Sequence, residues 1–194
     1  MTVLVAYQGE GFAVIGADSR ATEDTGFYLD LATPKIVQNG AYLIAVSGAS
    51  RGGNIAQFGW IPPKPPKSKN KTVLDRFMTS KVIPSLRGAF LKAGYDAKDD
   101  GEAAWQDSNL LIIFNGVIYP VFNDYSWDRD IRDLYFAGSG GELACGAITK
   151  YIRDKENKNL TSGEAEEAIT EAIEVACSWN AFCSLPIVIR TQYA

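Results

Sequence analysis

Three apolar hairpins constrain the fold of this chain more than any other sequence feature. In each hairpin, two short runs rich in β-branched and aromatic residues flank a turn that contains glycine. The paired runs are 3–7 with 12–17, 35–38 with 41–46, and 110–114 with 117–122. Asn39-Gly40 and Asn115-Gly116 lie in the second and third turns, and Asn-Gly strongly favours two-residue hairpins. The sequence therefore predicts antiparallel strand pairs, and a strictly alternating βαβ order is disfavoured.

The segments between and after the hairpins have helical spacing. Leu74, Phe77 and Met78 fall on one face of a helix that Thr72 is expected to cap. Pro84 is expected to bend or restart this helix, because proline lacks a backbone N–H.

The last third of the chain predicts two more strands and two helices. Residues 134–137 form a short apolar run, and a helical pattern follows to about Asp154. Thr161 and Glu164 have the spacing of a capping box, which opens a second helix, and 186–190 is a final strand. The order of strands, helices, strands, helices and strand favours an α+β layered sandwich with the helices outside.

The length of 194 residues is that of a single domain, 1–194, with one insertion at about 61–71. This insertion holds four prolines and four lysines in eleven residues. Prolines at that density prevent a helix, so an exposed extended loop is expected. The sequence leaves open whether the loop is merely solvated or contacts a partner.

The chain contains no histidine, and this excludes several kinds of active site. A Ser-His-Asp triad, a Cys-His dyad and a histidine-ligated zinc site all need imidazole. A hydrolase with this sequence needs another general base, such as a carboxylate, a lysine, a thiolate or a terminal amine. We expect no cofactor and no metal.

The charge, the cysteines and the start of the sequence indicate the compartment and exclude two kinds of partner, nucleic acid and membrane. The net charge is −4 and the pI about 4.9, whereas duplex-binding domains usually have a basic surplus. Cys145, Cys177 and Cys183 match no zinc or redox spacing, so reduced thiols are expected. The first apolar run is too short for a signal peptide or a membrane span, which predicts a cytoplasmic protein.

Two other candidate sites are incomplete. The run 138–141 is Gly-Ser-Gly-Gly between a strand and a helix, but it lacks the lysine of a phosphate-binding loop. The acidic residues at 124–130 have calcium-loop spacing, yet Arg129 stands where that loop needs glycine. A surface turn with salt bridges is the interpretation we prefer for 124–130.

Thr2 offers a base without histidine. Its small side chain favours removal of Met1, and a threonine at the chain start carries a hydroxyl nucleophile and an α-amine on one residue. An α-amine has an ordinary pKa of about 7.7–8.0, so it can accept a proton near neutral pH. Such a site still needs a nearby cation and an oxyanion hole.

The surrounding sequence resembles the proteasome β-subunit and HslV family of N-terminal-nucleophile threonine peptidases. The opening residues 1–6 and the run 11–22, with Asp18 and Arg20, are similar to the start of these subunits. Lys35, the run 44–48 and the Gly-Ser-Gly-Gly segment are similar to later family motifs, in the same order. The resemblance covers nearly the whole chain except the insertion, and it implies a four-layer αββα sandwich.

The resemblance also implies roles for individual residues. Thr2 would be the nucleophile, and Lys35 would lower the proton affinity of its hydroxyl and amine. Asp18 would hold Lys35, the Gly48 N–H would donate to the oxyanion, and Ser139 would support the terminal amine.

Further residues correspond to the substrate pocket and to supporting positions. Ala21, Thr22, Val46 and Ser50 map to the pocket, and the uncharged Ala21 and Val46 favour small or apolar substrate side chains. Supporting positions fall at Arg20, Asn180 and Cys183. At the last two the family has a carboxylate and a serine.

The resemblance implies a threonine endopeptidase subunit of a homo-oligomeric particle of stacked rings, which cleaves polypeptides fed by an ATP-dependent unfoldase. Two alternatives stay open from the sequence. One is a non-catalytic ring or interaction protein with the same fold, and the other is an amidase or acylase that acts on a small amide.

Overall fold

The computed structural model describes residues 2–23, 25–96, 104–155 and 159–194, and its centre is a pair of antiparallel sheets. The first sheet has the order β10-β2-β1-β9. Its strands are Leu4–Gly9 (β1), Phe12–Ala17 (β2), Leu134–Ala137 (β9) and Val188–Tyr193 (β10). The β1–β2 hairpin is the first one predicted from the sequence, so that prediction is confirmed.

The second sheet has the order β5-β6-β7-β8 and contains the other two predicted hairpins. Its strands are Ile36–Asn39 (β5), Tyr42–Gly48 (β6), Ser108–Phe114 (β7) and Val117–Val121 (β8). Asn115 and Gly116 form the β7–β8 turn with φ of 50° and 68°, the positive values that favour Asn-Gly there. A small hairpin, Arg20–Thr22 (β3) with Tyr28–Asp30 (β4), was not predicted.

Helices cover the outer face of each sheet. Over the second sheet lie Ser50–Asn54 (α1), Lys71–Phe77 (α2) and Ile83–Lys92 (α3), with π-helical turns at Ile55–Gly59 and Met78–Val82. Over the first sheet lie Gly141–Asp154 (α4) and Ser162–Trp179 (α5).

Three separate apolar cores correspond to the three spaces between four layers. One core joins β1 and β2 to α4 and α5, and a second joins β6–β8 to α2, α3 and the two π-helical turns. The third lies between the sheets. The chain is therefore the α+β four-layer sandwich that the sequence predicted.

Strand β1 shows why its sequence is apolar at consecutive positions. Val5 and Tyr7 face the helices, whereas Leu4 and Ala6 face the second sheet. Because both faces of this strand are covered, the alternation of apolar and polar residues typical of a one-sided sheet is lost.

Local details differ from the sequence predictions at two ends. Asn70, and not Thr72, caps α2, because the Asn70 side chain accepts from the backbone N–H groups of Thr72 and Val73. The final strand is Val188–Tyr193, two to three residues later than predicted.

Pro84 lies in the first turn of α3, directly after a π-helical turn, so its predicted interruption of the helix is confirmed. The capping box of Thr161 and Glu164 is also confirmed.

The Pro/Lys-rich segment is extended, as predicted, and its backbone is bound to the second sheet. The Tyr42 hydroxyl donates to the carbonyl of Pro63 at 2.6 Å. The Asn115 side chain donates to the carbonyls of Pro66 and Ser68 at 2.7 and 3.1 Å. Within the described ranges, no helix is long and apolar enough to cross a membrane.

A substitution at Gly16 tests how closely α5 packs on the first sheet. A Cβ atom at Gly16 would lie 2.4 Å from Ile169 and 2.8 Å from Ile173 of α5. We expect Gly16→Ala to lower the free energy of unfolding by about 1–3 kcal/mol, because overpacking displaces these side chains. Thermal unfolding would show this as a fall in Tm of about 2–12 °C.

Gly146→Ala is the matched control, since Gly146 is an exposed residue of α4 where an added Cβ would have no heavy atom within 4 Å. Alanine favours the helix by about 0.5–1 kcal/mol over glycine, so this variant should be as stable as the parent or more so. A Gly16→Ala protein with unchanged Tm would contradict the close approach of α5.

Candidate functional site

A buried ion pair joins the two sheets at one end. The Lys35 ammonium donates to Asp18 Oδ1 at 2.6 Å, and the side chains are 6% and 0% exposed. Asp18 follows the last residue of β2, and Lys35 precedes the first residue of β5, so the pair depends on how the sheets stack.

Asp18 also orders the backbone around it. Its Oδ1 accepts from the N–H of Val3 at 2.9 Å, and its Oδ2 accepts from the N–H groups of Arg20 and Ser184 at 3.1 and 3.3 Å. Hydrogen bonds to a carboxylate are stronger than neutral ones. One side chain therefore positions the residue after Thr2, the start of β3 and the loop before β10.

Burial lowers the pKa of Lys35 below its usual 10.5, and the charge of Asp18 and its hydrogen bond oppose that effect. Burial acts in this direction because a low-dielectric environment disfavours the charged ammonium. Lys35 is thus a cation whose proton is held less tightly than that of an exposed lysine.

Thr2 is buried and lies directly against the turn that precedes α4, while Met1 lies outside the described residues. The Thr2 carbonyl accepts from the N–H of Gly140 at 3.2 Å. Gly138 has a φ of +84°, and a Cβ there would be 2.1 Å from the Thr2 carbonyl oxygen. Only glycine fits this contact, so the Gly-Ser-Gly-Gly run places the start of the chain.

Gly48 ends β6 in a second position that requires glycine. Its φ is +95°, and a Cβ would lie 3.1 Å from the carbonyl oxygen of Asp107. Gly48 is exposed, and its bare backbone lines the same cavity as Thr2 and Lys35.

That cavity has a volume of about 270 Å³ and brings together residues from several distant segments. The residues that the resemblance assigned to a substrate pocket all line it, namely Ala21, Thr22, Val46 and Ser50. Thr2, Lys35 and Gly48 line it as well, and Asp18 lies behind Lys35.

Ser139, Asn180 and Cys183 are outside the lining of this cavity and adjoin the turn that holds Thr2. The Asn180 side chain donates to the Ser139 carbonyl at 2.9 Å. Cys183 is buried, and its Sγ would be 2.8 Å from a Cβ on Gly140. Burial raises the pKa of the Cys183 thiol to about 11, which does not suit a thiolate nucleophile.

Arg20 also lies outside the cavity. Its guanidinium donates to Asp30 at 3.1 Å and stacks over Tyr28, with 4.0 Å between the guanidinium carbon and the ring centre. Its side chain therefore joins the two strands of the β3–β4 hairpin.

Sequence reasoning missed Gln57, which holds the backbone of Lys35. The buried side-chain amide of Gln57 donates to the carbonyls of Lys35 and Ile44 at 2.8 and 3.0 Å. Gln57 belongs to the π-helical turn Ile55–Gly59, and no local sequence signal marks it. Sequence reasoning also missed large apolar side chains of the cavity, among them Phe27, Leu29 and Phe58.

The arrangement suits a reaction in which the Thr2 hydroxyl is ionised beside a fixed positive charge. Lys35 supplies the charge, and Gly48 leaves room for a substrate backbone to approach. Among the residues that the structure describes, no cluster of His, Cys, Asp or Glu could hold a metal ion.

No protein-family model matches the sequence, and neither does any curated protein. The fold, in contrast, matches solved structures over their full length. The Thiobacillus denitrificans protein BPH is similar with a TM-score of 0.74 and 21% identity, covering 99% of this chain and 98% of BPH.

Two further solved structures are similar. One is the same BPH in complex with epoxomicin, with a TM-score of 0.74, 19% identity and coverage of 99% and 98%. The other is HslV from Trypanosoma brucei, with a TM-score of 0.64, 12% identity and full coverage of both chains. At these identities the likeness establishes the fold: the chain has the proteasome- and HslV-like N-terminal-nucleophile fold.

Proposed function

We propose that this chain is a threonine-type endopeptidase subunit that cleaves peptide bonds with Thr2 as nucleophile after removal of Met1. The observation that carries the proposal is the cavity where Thr2 lies beside the buried Lys35–Asp18 pair. The BPH structure in complex with epoxomicin supports it, since a relative of this fold binds that compound.

The reaction begins with the Thr2 hydroxyl. Its oxygen attacks the carbonyl carbon of the substrate peptide bond, and its proton passes to the α-amine of Thr2. The positive charge of Lys35 favours the neutral amine and the ionised hydroxyl. The Gly48 N–H donates to the oxyanion that forms on the carbonyl oxygen.

Collapse of this tetrahedral species breaks the C–N bond, and the proton moves from the α-amine to the leaving amine. The acyl group stays on Thr2 as an ester. Water then attacks the ester carbon and gives its proton to the same α-amine. The bond between the acyl carbon and Thr2 Oγ breaks, the α-amine returns the proton to Oγ, and the second product leaves as a carboxylic acid. Ser139, positioned through Asn180, supports the α-amine, and Cys183 packs behind this turn.

The proposal includes the assembly and setting of the protein. The substrate is a polypeptide, the subunits form homo-oligomeric stacked rings, and an ATP-dependent unfoldase feeds the chamber in the cytoplasm.

A second candidate is a non-catalytic ring or interaction protein with this fold. Asn180 and Cys183 favour it, because they stand where the resembled family has a carboxylate and a serine. An N-terminal-nucleophile amidase or acylase that acts on a small amide is the third candidate.

Exposing Thr2 should switch activity on. A protein released from a cleavable tag with Thr2 as its first residue should hydrolyse peptides, because the α-amine and the hydroxyl act together. The measurement is the release of a chromophore from a peptide substrate, together with labelling by a threonine-directed electrophile.

Two matched proteins are the controls, one that retains Met1 and one in which Thr2→Ala is exposed by the same tag. Both should lose nearly the full rate, since one lacks the free amine of Thr2 and the other lacks the hydroxyl. Equal activity in all three proteins, or inactivity of the exposed Thr2 protein, would contradict the proposal, and inactivity with intact rings would favour the non-catalytic alternative.

Lys35→Ala should abolish most turnover, with an expected loss of about 10²–10³ in kcat, because its charge stabilises the transition state. Lys35→Arg should fail as well, since a planar guanidinium does not fit a compact ammonium site. Steady-state kinetics measures both, and circular dichroism checks that the variants fold.

The pH profile separates a catalytic charge from a structural one. Activity should rise as the α-amine loses its proton and fall as Lys35 loses its own, at a pH below the ordinary lysine value of 10.5. The residual activity of Lys35→Ala should lack this alkaline fall. Near-parental turnover by either Lys35 variant would return Lys35 to a structural role.

The proposed rings predict a large particle. We expect roughly ten or more subunits, since closed symmetry is usual for homo-oligomers and this fold is used in stacked rings. Analytical ultracentrifugation at micromolar concentration measures the mass, and a monomer or dimer alone would contradict the ring assembly.

A further inference from the structure

The exposure of side chains along the Pro/Lys-rich segment repeats every three residues. Ile61, Lys64 and Lys67 are exposed, and the two residues between each neighbouring pair of them are partly buried. Three residues per turn is the repeat of a polyproline II helix, which prolines favour because their φ is fixed near −65°. We call Ile61, Lys64 and Lys67 the basic ridge. At a rise of about 3.1 Å per residue, its members lie about 9 Å apart along the segment.

The opposite side of the segment is bound to the protein with the same repeat. Trp60, directly before the segment, is buried. The carbonyl of Pro63 accepts from the Tyr42 hydroxyl at 2.6 Å. Three residues later, the carbonyl of Pro66 accepts from the Asn115 side chain at 2.7 Å. Because the backbone is already held, the basic ridge loses little conformational entropy when it contacts a partner.

The lysines of the basic ridge have no ion-pair partner within the described ranges. No carboxylate there lies within 4.0 Å of the ammonium of Lys64 or Lys67, and the same holds for Lys69. The segment 61–71 contributes four positive charges to a chain whose net charge is −4, so the rest of the chain carries −8. A concentrated positive surface on an acidic protein attracts a partner of opposite charge.

The basic ridge lies at the end of the second sheet that is remote from Thr2. Tyr42, which binds the segment, begins β6, and Gly48, which lines the cavity with Thr2, ends it. A strand of seven residues separates its ends by about 20 Å. A partner on the basic ridge therefore leaves the cavity open, and the inference does not depend on the proposed cleavage reaction.

We propose that the basic ridge docks an extended acidic segment of a partner protein. Its carboxylates pair with Lys64 and Lys67, and an apolar side chain packs on Ile61, which is 88% exposed. Proline-rich extended segments are a recurring docking element because their conformation is preformed. A nucleic acid is disfavoured, since no residue of the basic ridge has an aromatic ring to stack on a base and the acidic remainder of the chain repels a polyanion.

The test measures binding of a fluorescein-labelled peptide made of glutamate, glycine and one leucine, by fluorescence polarisation. The parent protein should bind it, and added salt should weaken the binding. The Lys64→Gln/Lys67→Gln double variant should bind about two- to thirtyfold more weakly, since each exposed ion pair contributes a small factor. Ile61→Ser should weaken binding about threefold or more through the lost apolar contact.

Lys81→Gln/Lys92→Gln is the matched control. Both lysines are exposed residues of the helical layer on the same sheet, and their substitution removes the same charge. This variant should bind the peptide as the parent does. An equal loss in both double variants would show that net charge alone attracts the peptide and would overturn the proposal, as would equal binding of a peptide with glutamine in place of glutamate.

Other occupants of the basic ridge give different results. Tighter binding of single-stranded oligothymidylate or of phosphatidylserine vesicles than of the acidic peptide would overturn the proposal. So would a Lys64→Gln/Lys67→Gln protein whose oligomeric state changes in sedimentation while its peptide binding does not, because the basic ridge would then join copies of this chain.

The binding assay involves no turnover, so its result is separate from that of the proposed function. If the protein with Thr2 exposed cleaves a chromogenic peptide, the Lys64→Gln/Lys67→Gln variant should cleave it at the parental rate. Loss of cleavage in this variant would contradict a docking surface that lies apart from the cavity.

Discussion

The buried ion pair of Asp18 and Lys35 is the interaction on which the rest of the site depends. Burying an isolated charge is costly, and it is tolerated here because the partners meet at 2.6 Å and Asp18 accepts three backbone hydrogen bonds as well. The two residues come from the ends of strands in different sheets. The pair therefore exists only when the two sheets stack in one register, which makes the site a consequence of the packing between them.

Two glycines allow the backbone at the site to adopt positions that a side chain would block. Gly138 lets the turn before α4 touch the Thr2 carbonyl, and Gly48 ends β6 beside the cavity with a positive φ. A side chain at either position would move the backbone that places the hydroxyl or the proposed oxyanion donor. Gln57 adds a third constraint. Its side-chain amide donates to the carbonyl of Lys35, directly before β5, and to the carbonyl of Ile44 in the neighbouring strand β6.

The agreement between sequence and structure is best where the signal is local. The Asn115-Gly116 turn and the capping box of Thr161 and Glu164 depend on neighbouring residues, and both were predicted. The helix cap at Asn70 was assigned to Thr72 because both side chains are suitable caps, and the choice depends on where the extended segment ends. The β3–β4 hairpin was not predicted because its strands are only three residues long. The side chain of Arg20 in β3 contacts Asp30 in β4, and this contact is not visible in the local sequence pattern.

The sequence by itself determined the absence of histidine chemistry, the three hairpins, the two C-terminal helices and the candidate Thr2, because composition, turn residues and periodicity are short-range properties. Only the tertiary structure decided that Asp18 meets Lys35, that Gln57 holds the Lys35 backbone, and that Phe27 and Phe58 share one cavity. These contacts join residues far apart in the chain. They depend on how the sheets and helices stack, and a local sequence pattern contains no information about that stacking.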